Sequence, residues 1–501
     1  MTSVPSTGGR RVKFPRLERG SFMWGLDLAQ FCLVIFGLVS LVLVLAFAGG
    51  KAALVWAIVA VPTVVFGAVS WNGRTAVSRV RVSVEHLMRR AAGKTEWRVS
   101  EKPVETGTLP LPGKPGARVS VYGTKWADGA VIFDAGAQTA SVALRCESVG
   151  WPLSDDRDER ASAFADVCRG LIRRPHMERL AIQARTIPAT KQAAVTWNEE
   201  IQAQRNVNDE WGQDVMEQVL DGDQFVGAEG QPVGPESRVV PVQRDTIVVL
   251  TMNVKRAARA VKAGGGGLGG AAQVLAGEVR QFSEELKRCG VTSVQWLTPA
   301  EVGDAVRVAL DPESADRIQQ MAQGRTDPNG LAHAVPMFVD DDDPTKLVTS
   351  GGYHMTFWIG QWPQTEVGSG FLESLICEGD YPHVVTTVLR VEGVDKALRS
   401  IQDRRYALRS KQQMNQRLQR PDSILDEVAE ADLREREEEL ASGHVNVHVS
   451  GYVRVSGVDE DSLELNVQSM YRDANQLDVQ LLKRQQWEAF CASSLPLGWG
   501  L

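Results

Sequence analysis

The sequence predicts an α/β (α+β) protein in which an N-terminal transmembrane helical hairpin precedes two ferredoxin-like α/β lobes. Two long apolar runs near the N-terminus predict the hairpin, and a recurring order of strands and helices predicts the lobes. The 501 residues can bury a large core and divide naturally into two or three domains.

The tail 1–23 reads as disordered and basic, with Pro, Gly and Ser over residues 2–9 and then Arg10, Arg11, Lys13, Arg16 and Arg19. The hairpin segment is 24–72. Leu28 to Ala48 is interrupted only by the weakly polar Gln30, Cys32 and Ser40, and is long enough for a hydrocarbon core of ~30 Å. Gly49, Gly50 and Lys51 form a turn, and a second run from Ala52 to Ser70 carries Pro62 as a tolerated kink.

Arginines precede the first run, and Arg74, Arg79, Arg81, Arg89, Arg90 and Lys94 follow the second. The positive-inside rule therefore puts both termini in the cytoplasm of a plasma-membrane protein with two spans. Trp24 and Trp71, with Arg16, Arg19 and Arg74, are the expected membrane-interface residues. A second span and the length of the first argue against a cleaved signal peptide.

Residues 73–117 read as a basic juxtamembrane helix and then a Pro/Gly-rich linker, Leu109 to Gly116. The first lobe is placed at 118–330. Its strands are expected at Ala130 to Phe133, Thr139 to Val149, Glu178 to Ile187, Thr246 to Val254 and Val291 to Leu297. Helices are expected from Ser154 to Arg174, Thr190 to Gln204, Asn208 to Leu220 and Ala271 to Cys289, with a loop from Gly227 to Glu236.

The second lobe, 331–501, repeats the theme with strands Tyr353 to Gly360, Val384 to Val391, Val445 to Val455 and Leu477 to Leu482. Helices lie near Gly368 to Ile376 and from Asp459 to Ala474. Within it, 395–443 is basic in its first half and acidic in its second, with Pro421, Asp422 and Ser423 at the change of sign. That pattern predicts a charged helical hairpin with opposite charges facing.

With 43% hydrophobic and 23% charged residues and a net charge of −7, the composition gives no bulk case for nucleic-acid binding. A local basic face remains at Lys255, Arg256, Arg259 and Lys262, the candidate contact to DNA phosphates. Six scattered cysteines without a CxxC pair read as reduced thiols packed as small hydrophobes.

No catalytic, metal or cofactor site is predicted, so the chain is not read as an enzyme. Gly93, Lys94 and Thr95 spell the end of a P-loop, but position 88 is Met and no strand precedes it. Gly264 to Gly270 reads as a flexible connector, Asp340 to Asp343 as a solvated acidic turn, and His444 and His448 as exposed strand histidines. Trp358, Trp362 and Pro363 end a strand and offer rigid aromatic area to a docking partner, core packing being the competing reading.

Four stretches carry a resemblance: Ile182 to Ala189 (IQARTIPA), Thr356 to Ile376 (TFWIGQWPQTEVGSGFLESLI), Leu440 to Ser456 (LASGHVNVHVSGYVRVS) and Ala489 to Leu501 (AFCASSLPLGWGL). Together they look like the actinobacterial two-span membrane proteins of conjugative, type IV secretion-like clusters. The chain resembles a PrgI-like membrane hairpin fused to the non-motor amino-terminal region of TrbE/CagE-type ATPases, whose Leu-Pro segment leads into a motor.

The resemblance implies a membrane-anchored scaffold without an engine, docking a separate secretion ATPase alongside other membrane subunits as a homo- or hetero-oligomer. A second reading is a core component of type VII secretion of the EccE kind, which also joins a hairpin to a soluble α/β domain. A third is a DNA-handling membrane protein.

Overall fold

A computed structural model describes residues 28–68, 70–71, 74–99, 107–109, 111–125, 129–148, 154–189, 225–226, 232–233, 242–323, 325, 330–363, 366–368, 370–392, 394–417, 424–441 and 446–500. The expected helices over 190–204 and 208–220 lie outside the described residues, as do Arg16, Arg19 and Trp24.

The apolar runs form one helical stretch, α1 (Leu28–Ala68), broken at Gly49, where φ is 80° and ψ 171°. Across the break the halves fold back on each other. A Cβ added at Gly37 would lie 2.6 Å from Val64 Cγ2, and one at Gly67 would lie 2.9 Å from Val34 Cγ2. Trp56 Nε1 donates to Ser40 Oγ at 3.2 Å. In a straight helix, residues 37 and 64 would be ~40 Å apart. Glycines at these crossings let the two backbones approach closely.

The two-residue strands β1 (Ser70–Trp71) and β2 (Arg74–Thr75) pair antiparallel. Helix α2 (Ala76–Ala91) follows, its first turn capped by the Thr75 hydroxyl, which accepts from Ser78 N. Strand β3 (Glu96–Arg98) pairs with a strand of the main sheet, and helix α3 (Gly113–Arg118) begins within the stretch 109–116 expected to be a linker, where Leu109 and Leu111 are buried in the core.

The body contains β4 (Val119–Gly123), β5 (Ala130–Asp134), β6 (Thr139–Ser148), α4 (Ser154–Ile172) and β7 (Met177–Pro188). The short pair β8 (Phe225–Val226) and β9 (Pro232–Val233) precedes β10 (Val242–Asn253), α5 (Ala258–Ala263), α6 (Gly267–Arg288) and β11 (Val291–Trp296). Then come α7 (Pro299–Leu310), α8 (Ala315–Gln323), β12 (Phe338–Asp340), β13 (Leu347–Thr349), β14 (Gly352–Gln361) and β15 (His383–Glu392). The chain continues through α9 (Val394–Arg417), α10 (Ile424–Ala441), β16 (Asn446–Gly457), α11 (Glu460–Asp473), β17 (Asp478–Leu481) and α12 (Gln486–Ser494).

Thirteen strands join one antiparallel sheet, so the residues read as two lobes share a single continuous sheet. Its middle runs β11-β6-β10-β7-β15-β16-β14-β17. In each half, the strands numbered along the chain pair in the order fourth, first, third, second, and the two second strands, β7 and β15, meet at the seam.

Strand register places the cores. Val388 pairs with Ala181 and Leu389 with Leu180, so alternate residues carry the two faces through the seam without interruption. On one face α4 and α6 cover the first half around Phe282 and Leu275, while α11 covers the second around Phe357, Leu463 and Met470. On the other face α7, α12 and the C-terminal Leu495 and Leu497 pack over both halves.

That last segment acts as a strap. Gln183 Nε2 of β7 donates to Leu495 O at 2.9 Å, and Thr386 Oγ1 of β15 donates to Ser493 O. Both carbonyls thus find donors in the core, as buried polar groups require.

Two local expectations are overturned. Gly264 to Gly270 is a tight helix corner rather than a flexible connector: α6 starts inside it, and a Cβ at Gly270 would lie 2.2 Å from Val261 O. Where a helix is expected near 368–376, the described residues form a short π-helical turn, Ser374–Glu378. The charged hairpin is present as α9 and α10, where Arg405 meets Glu437 at 2.8 Å and Gln412 donates to Glu430 at 3.2 Å.

Candidate functional site

The residue set with most chemistry lies where α2, which follows the apolar helix, meets the body. α2 ends in Arg89 and Arg90, cations that suit a helix C-terminus. Gly93, at φ 61°, terminates it. Gly93 N donates to Arg90 O at 3.0 Å and Lys94 N to Arg89 O at 2.9 Å, the double closure of a Schellman end. The Gly-Lys-Thr triplet therefore ends a helix, where a phosphate loop would have to start one.

Arg89 is held from two sides. Its Nη1 lies 3.1 Å from Asp341 Oδ2 and 2.9 Å from Glu488 Oε1, and its Nη2 donates to Arg484 O at 3.3 Å. Beside it, Arg90 Nε lies 3.0 Å from Asp342 Oδ1. Arg484 adopts φ 65°, a left-handed conformation that costs a non-glycine residue ~1–2 kcal/mol. There its N–H donates to Pro344 O at 2.7 Å and its Nη1 to Ser83 Oγ at 3.2 Å.

Asp340 to Asp343 is thus a docking turn, which corrects the solvated reading. Asp341 is 3% exposed, its N–H donates to Thr95 O at 3.0 Å, and its Oδ1 accepts from Trp487 N at 3.3 Å. Burial pushes its carboxyl up to about 7, with Arg89 opposing and Glu488 adding to the rise. His86 is buried on the same side of α2, and burial, with Arg89 next, holds its imidazole below the ordinary value. The arrangement is an ionic latch between helix and body.

The residues singled out from sequence are scattered. Trp71 and Arg74 face each other across β1 and β2 as backbone partners. Trp362 is 6% exposed, its indole N–H donating to Val449 O at 3.3 Å, and Pro363 is buried beside it. Trp358 is half-buried and packs against the core under α12. The aromatic area offered for docking therefore lies largely inside the protein, because Trp358 packs into the core on one face of the sheet and Trp362 into the core on the other. Lys255, Arg256, Arg259 and Lys262 are all exposed around α5.

His448 is exposed on β16, and His444 lies outside the described residues. All six cysteines are free thiols; Cys146 and Cys491 are buried and Cys32 is exposed on α1. Among the described residues, no three His, Cys, Asp or Glu side chains converge as metal ligands do.

Fold and latch define an α/β protein joined through a short basic helix to an apolar helix long enough to cross a membrane. Residues 240–359 match the family described as "Putative type VII ESX secretion system translocon, EccE". The matched segment runs from β10 through α7 to β14 and so includes strands of both halves of the sheet. In that segment the chain is similar to a secretion-system translocon component. No curated relative matches the sequence. The match falls on the second of the sequence readings; the PrgI-like and TrbE/CagE-like resemblance has no counterpart in it.

Proposed function

We propose that this chain is an EccE-like structural subunit of a type VII-like secretion translocon, fixed in the membrane by α1 and presenting its α/β sheet to other subunits of the machine. The family match over 240–359 carries the reading. Helix α1 supports the membrane setting, because most of its Leu, Val, Ile and Phe side chains are exposed, Phe47 and Leu54 among the most.

In this proposal the two arms of α1 are two spans, the basic flanks keep both ends cytoplasmic, and each half of the sheet is a ferredoxin-like unit. The role is that of a scaffold, in homo- or hetero-oligomeric contact with membrane subunits and a secretion ATPase.

The test is a mild-detergent pull-down of the tagged full chain from its host, read by mass spectrometry. Enrichment of type VII translocon subunits supports the proposal. Enrichment of a conjugative ATPase without them, or of no secretion component, overturns it.

A further inference from the structure

Helix α2 has two unlike faces. The side bearing Ser83, His86, Arg89 and Arg90 is latched to the body by the contacts above. The side bearing Val80, Val84, Leu87 and Met88 is apolar and bare, at 46%, 41%, 60% and 66% exposure. The spacing i, i+4, i+7, i+8 aligns these four in one stripe, pointing away from the latch at 100° per residue. Burying such a stripe is worth ~25 cal/mol per Å2 of apolar surface removed from water, so a bare one calls for a partner.

We propose that this stripe is seated in the headgroup–acyl boundary of the bilayer, making α2 an interfacial helix that holds the α/β body against an anionic membrane surface. Three observations select lipid as the occupant. Ala76 follows the end of α1 at Ala68 by eight residues, and the paired β1 and β2 turn the chain back on itself between them. α1 and α2 are in contact, so the stripe lies on a helix packed beside the anchor. Arg79 and Arg81 are exposed near the N-terminal end of the stripe, Arg81 Nε lying 3.2 Å from Glu85 Oε1, and exposed cations there are attracted by anionic headgroups. An apolar stripe with Arg beside it is the pattern of interfacial binding, with the apolar side sunk ~5–10 Å.

The inference rests on the membrane anchorage proposed above, and the experiment separates the two. Val84→Cys and Leu87→Cys are placed singly in the full chain with Cys32 and the three half-buried cysteines replaced by Ala. Each variant carries a nitroxide and sits in vesicles of three parts phosphatidylcholine to one part phosphatidylglycerol. Val42→Cys in α1 reports the anchor and Leu465→Cys, an exposed apolar site on α11, reports water.

The expected result is an oxygen to nickel-chelate accessibility ratio at positions 84 and 87 several-fold above that at 465, and below that at 42. Ratios at 84 and 87 equal to that at 465, with 42 immersed, overturn the interfacial helix and leave the anchor standing. A water-like ratio at 42 overturns the anchorage itself, and the inference with it.

Discussion

The two halves of the central sheet share a strand order and differ in what covers them. In the first half, α4 and α6 lie over β6, β7, β10 and β11, and Phe282, Leu275 and Leu286 fill the space between. On the same face of the second, α11 is the covering helix among the described residues; the other position holds a π-helical turn, and aromatic side chains take over its packing. Trp362 meets Phe371 at a ring separation of 6.3 Å, and the Tyr381 hydroxyl donates to Asp473 Oδ2 at 3.0 Å. Strand pairing thus sets the repeated frame, and side-chain volume decides whether a helix or an aromatic cluster completes it.

The largest expected effect tests whether the halves unfold together. Phe282→Ala on α6 removes a ring that is fully buried, and costs about 3–5 kcal/mol by lost transfer energy and residual cavity. Leu463→Ala on α11, also fully buried, costs about 2–5 kcal/mol. Because β7 and β15 are paired over seven registered residues, each variant is expected to lower one shared transition. Hydrogen exchange that collapses only in the altered half would break the comparison into two independent units.

Next is Gly270→Ala, at the corner between α5 and α6 in the first half. The new methyl must displace the Val261 carbonyl or part α5 from α6, a clash worth about 1–3 kcal/mol. Chemical denaturation is expected to show this loss despite the better helix propensity of Ala. A stability equal to or above the parent's would mean that the glycine run is the loose connector its sequence implies.

Gln183→Leu then sharpens the seam. It deletes the amide donating to Leu495 O, which keeps the Leu497 N–H at 2.7 Å, so the loss is that of one ordinary hydrogen bond, about 0.5–1.5 kcal/mol. Faster hydrogen exchange is expected in residues 493–500, with β7 and β10 holding their protection. Unchanged exchange there would show that the strap is held by its apolar contacts alone.

Much of the frame was legible in the chain. Alternating apolar residues located β6, β7, β10, β14, β15 and β16 to within a few residues, because period-two burial leaves a direct mark. The joining of the halves was not legible, since β7 and β15 lie nearly two hundred positions apart and nothing local in IQARTIPA names its partner. Residues 298–350 went largely unread, although Thr298 and Glu301 spell a capping box that opens α7. The latch was half visible: Arg89-Arg90 and the aspartate run are complementary in charge, but only the fold brings them together.

The smallest effect concerns that latch, which belongs to neither half alone: Asp341 follows β12 and Glu488 lies on α12. Asp341 binds its proton more tightly folded, at about 7, than unfolded, at about 4. The folded state therefore holds more protons between those values, and this group's contribution to stability falls as pH rises from about 4 to about 7. His86 works in the opposite sense. Its folded pKa is depressed, so the unfolded chain takes up more protons as pH drops below about 6.5, and stability is lost on acidification. In the parent the two trends oppose each other below about pH 6.5, where the unfolded imidazole begins to take up its proton. Asp341→Asn removes the falling trend, so its melting temperature is expected to climb more steeply with pH than the parent's. His86→Gln removes the rising trend and should give a flatter or falling profile. Superimposable profiles for all three proteins would mean that the latch carries no net proton linkage, and that Arg89 keeps Asp341 ionised throughout.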